Sequence, residues 1–231
     1  MTYRFTILTL LVVLLFSCNS SKQKTVEKNF NRLLQDTTNN HRAKGELNQL
    51  EHYNNICKAI NLNKLYDGVD SFEVRLWRQF SVFGMATDEE IYSLKIIDTT
   101  VSLTFYRVYC TQENYDNPNW RNWNPFTNPK IDSFIAVSKT FNSSLVDSLN
   151  LKNLWNLKTQ SSLNISDSIG FLDGTTTSIE ISSKEKYKFI SHHVAYAYYE
   201  KTKRNEIKNY IDEYDKLIGF FQSKKIYDHN Y

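Results

Sequence analysis

The sequence predicts an α+β fold: antiparallel β-sheet packed against amphipathic helices, with a long helix at the C-terminus. Three observations carry this. Runs in which apolar and polar residues alternate recur between residues 71 and 192, the period of a half-buried strand. The stretch Lys203–Ser223 instead sets Ile207, Tyr210, Ile211, Tyr214, Leu217, Ile218 and Phe221 at helical spacing, and so wide an apolar face needs a sheet to cover. Aromatic residues make up 14% of the chain while glycine (6) and proline (3) are scarce. That balance suits aromatic-rich strands joined by polar turns better than a Gly-rich nucleotide-binding fold.

At the start of the chain, Arg4 precedes the uncharged, apolar run Phe5–Phe16. The run is too short for the ~20 residues that span a bilayer and fits the ~7–15 of a removable signal. Its end, Leu15-Phe16-Ser17-Cys18, resembles the lipobox of bacterial lipoproteins, with Leu three places and Ser one place before the cysteine. The resemblance implies cleavage before Cys18 and acylation of that residue by palmitate-type chains. It also implies a place in the cell envelope. Asn19 and Ser20, where inner-membrane retention would favour Asp, imply the outer membrane of a Gram-negative bacterium. Several acyl chains would hold the protein stably where one gives marginal attachment. Residues 1–17 are then signal, 18–24 a polar lipidated tether, and 25–231 a single α+β domain.

The N-terminal part of that domain, 25–65, reads as helical. Val26, Phe30, Leu33 and Leu34 share one helical face, and a turn-rich stretch from Gln35 to His41 interrupts it. Leu47, Leu50, Tyr53, Ile56 and Ile60 then predict a helix over 45–62. Asp67-Gly68 marks a turn into the sheet. Residues 71–80 read as a half-buried strand, with Phe72, Val74 and Leu76 inward and Glu73, Arg75 and Trp77 outward. A hairpin over 91–97 and 101–110 turns at Asp98-Thr99-Thr100. A strand over 131–137 follows, then a helix through Leu145, Leu149, Leu154 and Trp155 starting at Asn142-Ser143. Strands over 175–181 and 187–192 follow the turn Asp173-Gly174 and precede the closing helix. The run from Leu172 to Ile181, with Glu185–Phe189 and the final helix, is similar to small exported bacterial proteins of no assigned activity. That similarity transfers no functional residue.

Chemical signatures are sparse. There is no G-x-S-x-G, H-E-x-x-H, P-loop or G-x-G-x-x-G motif, and no cofactor or metal spacing. The net charge of +3 has no dense basic stripe, which argues against nucleic-acid binding. With Cys18 lipidated, Cys57 and Cys110 remain as a pair in an oxidising compartment. They either close a disulfide between the N-terminal helix and the sheet or pack as separate buried thiols. Asp88-Glu89-Glu90 reads as a solvated turn, since calcium would need about six to eight oxygens. His192 and His193 are the only histidine cluster. Neighbours on a strand point to opposite faces, so they share no metal, and they read as surface or strand-end residues.

One stretch is compositionally distinct. Asn114–Pro129 holds all three prolines and two of the four tryptophans. It reads as a long loop offering Tyr115, Trp120, Trp123 and Phe126 as flat apolar faces and Arg121 as a donor, the composition of a contacting surface. The alternative is that Trp120 and Trp123 fold back to cap the sheet. The reading is therefore of a non-enzymatic, lipid-anchored module that binds a protein partner, in an immunity or inhibitor role. Glycan or peptidoglycan binding through the 114–129 loop is the second reading. A hydrolase site near His192 or His193, partnered by Asp173 or Glu180, is the third.

Overall fold

The computed structural model describes residues 30–34, 39–81, 88–110, 129–166, 169–171 and 174–227. Within them, seven strands form one sheet: β1 (Asn31–Leu33), β2 (Phe72–Ser81), β3 (Glu89–Ile97), β4 (Thr100–Cys110), β5 (Ile131–Asn142), β6 (Gly174–Ser182) and β7 (Lys186–His193). Their order across the sheet is β1-β7-β6-β2-β3-β4-β5. Every neighbouring pair is antiparallel except β1, which runs parallel to β7. The β6–β7 hairpin slots in beside β2, so the late strands and the early meander share one sheet. Helix α1 (His41–Ala59) packs on one face of this α+β fold. The other face carries α2 (Ala195–Thr202), α3 (Asn205–Ser223) and the 143–165 segment.

Each expected strand is present, most of them a residue or more longer than the alternation suggested. The hairpin turns on two residues, Asp98 and Thr99, with Asp98 at φ +51° in the left-handed region that Asp tolerates. Gly68 sits at φ +89°, and a Cβ there would lie 2.9 Å from the Phe30 ring. Glycine is what lets this turn pass so close to the chain entering β1.

Four local expectations change. The helical pattern through Phe30, Leu33 and Leu34 becomes strand β1 where it is described. Its Asn31 N–H donates to Glu185 O at 3.0 Å, and the Arg32 guanidinium lies 4.6 Å over the Tyr66 ring. An open edge on β7 outweighs a weak helical period. The helix expected after Asn142 forms as two 3₁₀ stretches, Ser143–Leu149 and Leu151–Asn156. Asn142 does cap the first, accepting from Ser144 N at 3.0 Å, but Asn150 at φ +48° breaks the run. The C-terminal helix starts at Asn205, because Lys203 at φ +52° ends the preceding α2, a separate helix.

The fourth change concerns β2. Glu73, Arg75 and Trp77 are not on a wet face; they are 4%, 1% and 0% exposed, because α1 lies across them. Alternation along a strand separates two faces but does not say that one of them is wet. The polar groups that β2 buries under α1 are paired. Arg75 Nε donates to Glu73 Oε1 at 2.7 Å and Arg75 Nη1 reaches Cys57 Sγ at 3.3 Å. Ser93 Oγ donates to Glu73 Oε1 at 2.9 Å. Trp77 Nε1 and Tyr187 OH donate to the two oxygens of Glu180 at 2.6 and 2.8 Å. The Tyr53 ring stacks on Trp77 at 4.0 Å and 7°, a contact worth about 0.5–1.5 kcal/mol beyond its buried area.

Removing one member of a buried ion pair strands its partner without a counter-charge. Arg75→Met is therefore expected to lower the unfolding free energy by about 3–5 kcal/mol in urea titrations. The double variant Glu73→Gln/Arg75→Met should recover most of that loss.

Candidate functional site

Several sequence-predicted site residues fall outside the described part of the chain: Cys18, and the loop residues Tyr115, Trp120, Arg121, Trp123 and Phe126. Of the 114–129 stretch only Pro129 is described. Asp173, one suggested histidine partner, also lies outside. The rest can be placed.

Cys57 and Cys110 lie in the same apolar cluster beneath α1, but both are free thiols, with no disulfide between helix and sheet. Burial pushes each thiol up to about 12, so both stay protonated and poorly nucleophilic at neutral pH. The acidic triplet is not a solvated turn. Glu89 and Glu90 belong to β3 and are 0% and 2% exposed. Glu89 Oε1 meets His52 Nε2 of α1 at 2.7 Å, while its Oε2 has no partner, and burial holds its carboxyl above the usual range. Glu90 faces the other side, where the hydroxyls of Tyr92 and Tyr227 donate to it at 3.2 and 3.3 Å. The signal for this was available: two acids inside a strand period lie on opposite faces and cannot both be turn residues.

His192 and His193 do point to opposite faces, but His192 is not a surface residue. It is 1% exposed, stacks on Tyr210 at 4.1 Å, and shares a 2.9 Å hydrogen bond with Lys158 O through Nε2. Desolvation lowers it to about 4, so it is neutral at pH 7, with Nε2–H as donor to the carbonyl. His193 looks toward α1. It lines a pocket of about 270 Å³ with Arg42, Gln49 and Ser161, and its Nδ1 meets Thr176 Oγ1 at 3.0 Å. The carboxylate at that pocket, Glu46, takes hydrogen bonds from Thr159 and Ser161, which clamp α1 to the Gln160–Ser162 turn. Glu180 gives its oxygens to Trp77 and Tyr187 rather than to a histidine. Among the described residues, no cluster of three or more His, Cys, Asp or Glu side chains could hold a metal ion. No described helix is long and apolar enough to cross a membrane.

The surface feature that the sequence reading did not single out is strand β5. Among the described residues it forms one lateral edge of the sheet, and every residue from Asp132 to Thr140 is exposed. Opposition to β4 fixes its faces. Phe134 lies opposite Val108 on the α1 side, and Val137 opposite Phe105 on the α3 side. Phe134, Ile135 and Val137 are 46%, 38% and 37% exposed, so the edge is apolar on both faces. The strand is held at its ends. Ile131 packs against the α1-side cluster, Phe141 against the other, and Lys139 Nζ donates to Lys224 O and Lys225 O at 3.1 and 2.9 Å. Its twelve residues span about 40 Å of edge backbone. Asp132 and Lys139 are its only charges. The consecutive Phe134-Ile135 pair, which breaks strict alternation, was the available sign of a strand that buries neither face.

His192 yields a pH prediction. Its folded value is depressed below the unfolded one, so its stabilising contribution is complete above about pH 6.5 and is lost as pH falls toward 4. Relative to His192→Gln, the wild-type protein is expected to lose about 3 kcal/mol of unfolding free energy across that window. Denaturant titrations of both proteins at pH 7, 5.5 and 4 would measure it.

No protein-family model matches the chain, and no curated protein matches it in sequence.

Proposed function

We propose that this chain is a non-enzymatic, lipid-anchored envelope protein that binds a protein partner in an immunity or inhibitor role. In this reading the partner contributes an extended segment that pairs with the free edge of β5. The carrying observation is the edge itself: a twelve-residue strand, apolar on both faces, with no strand beyond it among the described residues. Edge strands present a row of backbone donors and acceptors, and soluble proteins blunt them with charge, proline or brevity. β1, at the opposite edge, is only three residues long. β5 has no proline and two charges near its ends. An added strand would gain affinity from main-chain hydrogen bonds and specificity from the side chains on each face. The fitting segment is uncharged at its centre, with apolar residues that meet Phe134 on one side and Ile135 and Val137 on the other.

Anchoring predicts a fractionation result. Cys18→Ser should move the protein from the membrane fraction to the soluble one, and intact mass measurement of the wild type should find an acylated cysteine at its new N-terminus. An unmodified thiol would overturn the anchor.

Partner binding predicts a different result. The wild-type protein should recover one partner in stoichiometric amount from solubilised envelopes. Ile135→Lys/Val137→Lys should lose it while melting at an unchanged temperature, since both side chains are exposed. Recovery of no partner, or undiminished recovery by the variant, would refute the edge. A wild-type dimer in light scattering that the variant abolishes would give the edge to a second copy instead.

A further inference from the structure

A groove of about 430 Å³ opens where the start of β6, the turn into α2 and the outer half of α3 meet, on the opposite face of the sheet from α1. Its walls include Arg78, Thr175, Val194, Tyr196, Asp215 and Ile218. Tyr196 is the most exposed large apolar side chain of the described residues, at 54%, yet it is not loose, because its hydroxyl donates to Asp215 Oδ1. The Arg78 guanidinium, 42% exposed, lies 3.6 Å from the buried Glu90 carboxylate, which sets its position.

The backbone beneath the groove is strained. Val194, a β-branched residue, sits at φ +44° in the left-handed region, and its N–H donates to Thr175 O at 3.0 Å. A Cβ on Gly174 would fall 1.9 Å from Val194 Cγ1, so glycine is required opposite that strain. Strain of this kind persists where the surroundings over-determine it, and it concentrates at binding and catalytic sites.

We propose that this groove binds a neutral saccharide. The Tyr196 ring is the stacking platform, and Asp215, Arg78 and Thr175 hold the hydroxyls. The charge balance selects the ligand class. An anion drawn to Arg78 would meet Asp215, and a cation drawn to Asp215 would meet Arg78. A hydroxyl both donates and accepts, so a polyol satisfies the two together without bringing a charge of its own. A pyranose also has an apolar C–H face that suits an aromatic ring held by its hydroxyl. The volume lies at the small end of the ~300–1,000 Å³ of small-molecule sites, room for one or two sugar rings. This groove is separate from the β5 edge and stands whether or not a protein pairs there.

Calorimetric titration of the purified protein with maltose, cellobiose and N,N′-diacetylchitobiose, alongside sodium acetate and inorganic phosphate, tests the assignment. At least one sugar should bind saturably. Tyr196→Ala should weaken it about tenfold or more, the loss expected of a hot-spot aromatic. Tyr196→Phe, which keeps the ring and frees it from Asp215, should fall between the two. Asp215→Asn, which leaves the ring in place, serves as a second arm should Tyr196→Ala fold poorly, and should also weaken binding. The proposal is overturned if none of the three sugars binds, or if binding survives both Tyr196→Ala and Asp215→Asn. It is also overturned if only acetate or phosphate binds and Arg78→Gln abolishes that.

Discussion

The fold depends on polar groups buried between α1 and the sheet being matched to one another. Glu180, in the middle of β6, is a carboxylate with no access to water, and two donors from different strands, Trp77 and Tyr187, hold its two oxygens. Beside it, Glu73 and Arg75 pair along β2, and Arg75 reaches Cys57 on α1. Burial alone raises the Glu180 carboxyl, and the nearby Arg75 charge with the two donors pulls it back. Apolar surface on that face is modest, so the position of α1 is set by geometry-dependent contacts as well as by hydrophobic burial. A helix placed half a turn off would leave several buried groups unmet at about 1–3 kcal/mol each. Such networks specify one arrangement more than they add net stability.

The opposite face works differently. Ile179, Ile181, Ile190, Leu94 and Leu103 meet Ile207, Tyr210, Tyr214, Leu217 and Phe221 of α3 in a mostly apolar core. That is why α3 was legible in the sequence while the meaning of α1's face was only half so. A helix whose partner surface is apolar advertises itself by spacing. A helix that buries Gln49 and His52 against Gln79 and Glu89 has no such signature, and the strand facing it reads as amphipathic. The same reasoning explains the misplaced acids of β3. Individual strands were readable because period two is local. β1, the two 3₁₀ stretches and the separate α2 were not, because pairing partners or single left-handed residues at Asn150 and Lys203 decide them.

Beyond the Phe134-Ile135 pair in β5, neither candidate surface was visible as a pattern. The β5 edge depends on strand order, which places a mid-chain strand at the rim and a late hairpin in the centre. The Tyr196 groove joins Arg78 of β2 to residues of β6, α2 and α3 that begin only at Thr175 in the chain. By helical spacing alone, Asp215 is one more acid off the apolar stripe of α3. Only the fold shows that it fixes an aromatic ring instead.

Strand order also gives the two ends of the sheet opposite orientations relative to an N-terminal anchor. The described chain enters the sheet at β1, and β5 lies six strand spacings away, roughly 29 Å at about 4.8 Å each. With a lipid at Cys18, the tether pulls on the β1 edge, the short one that offers little for another strand to pair with. Under the proposed anchor, the long apolar edge is the one at the far end of the strand order from the point where the described chain enters the sheet. An anchor on the β5 side would have set the exposed Phe134, Ile135 and Val137 against lipid headgroups. If the proposed anchor and the proposed strand pairing both hold, the asymmetry between a three-residue edge and a twelve-residue edge is a direction, with attachment on the short side and recognition on the long one.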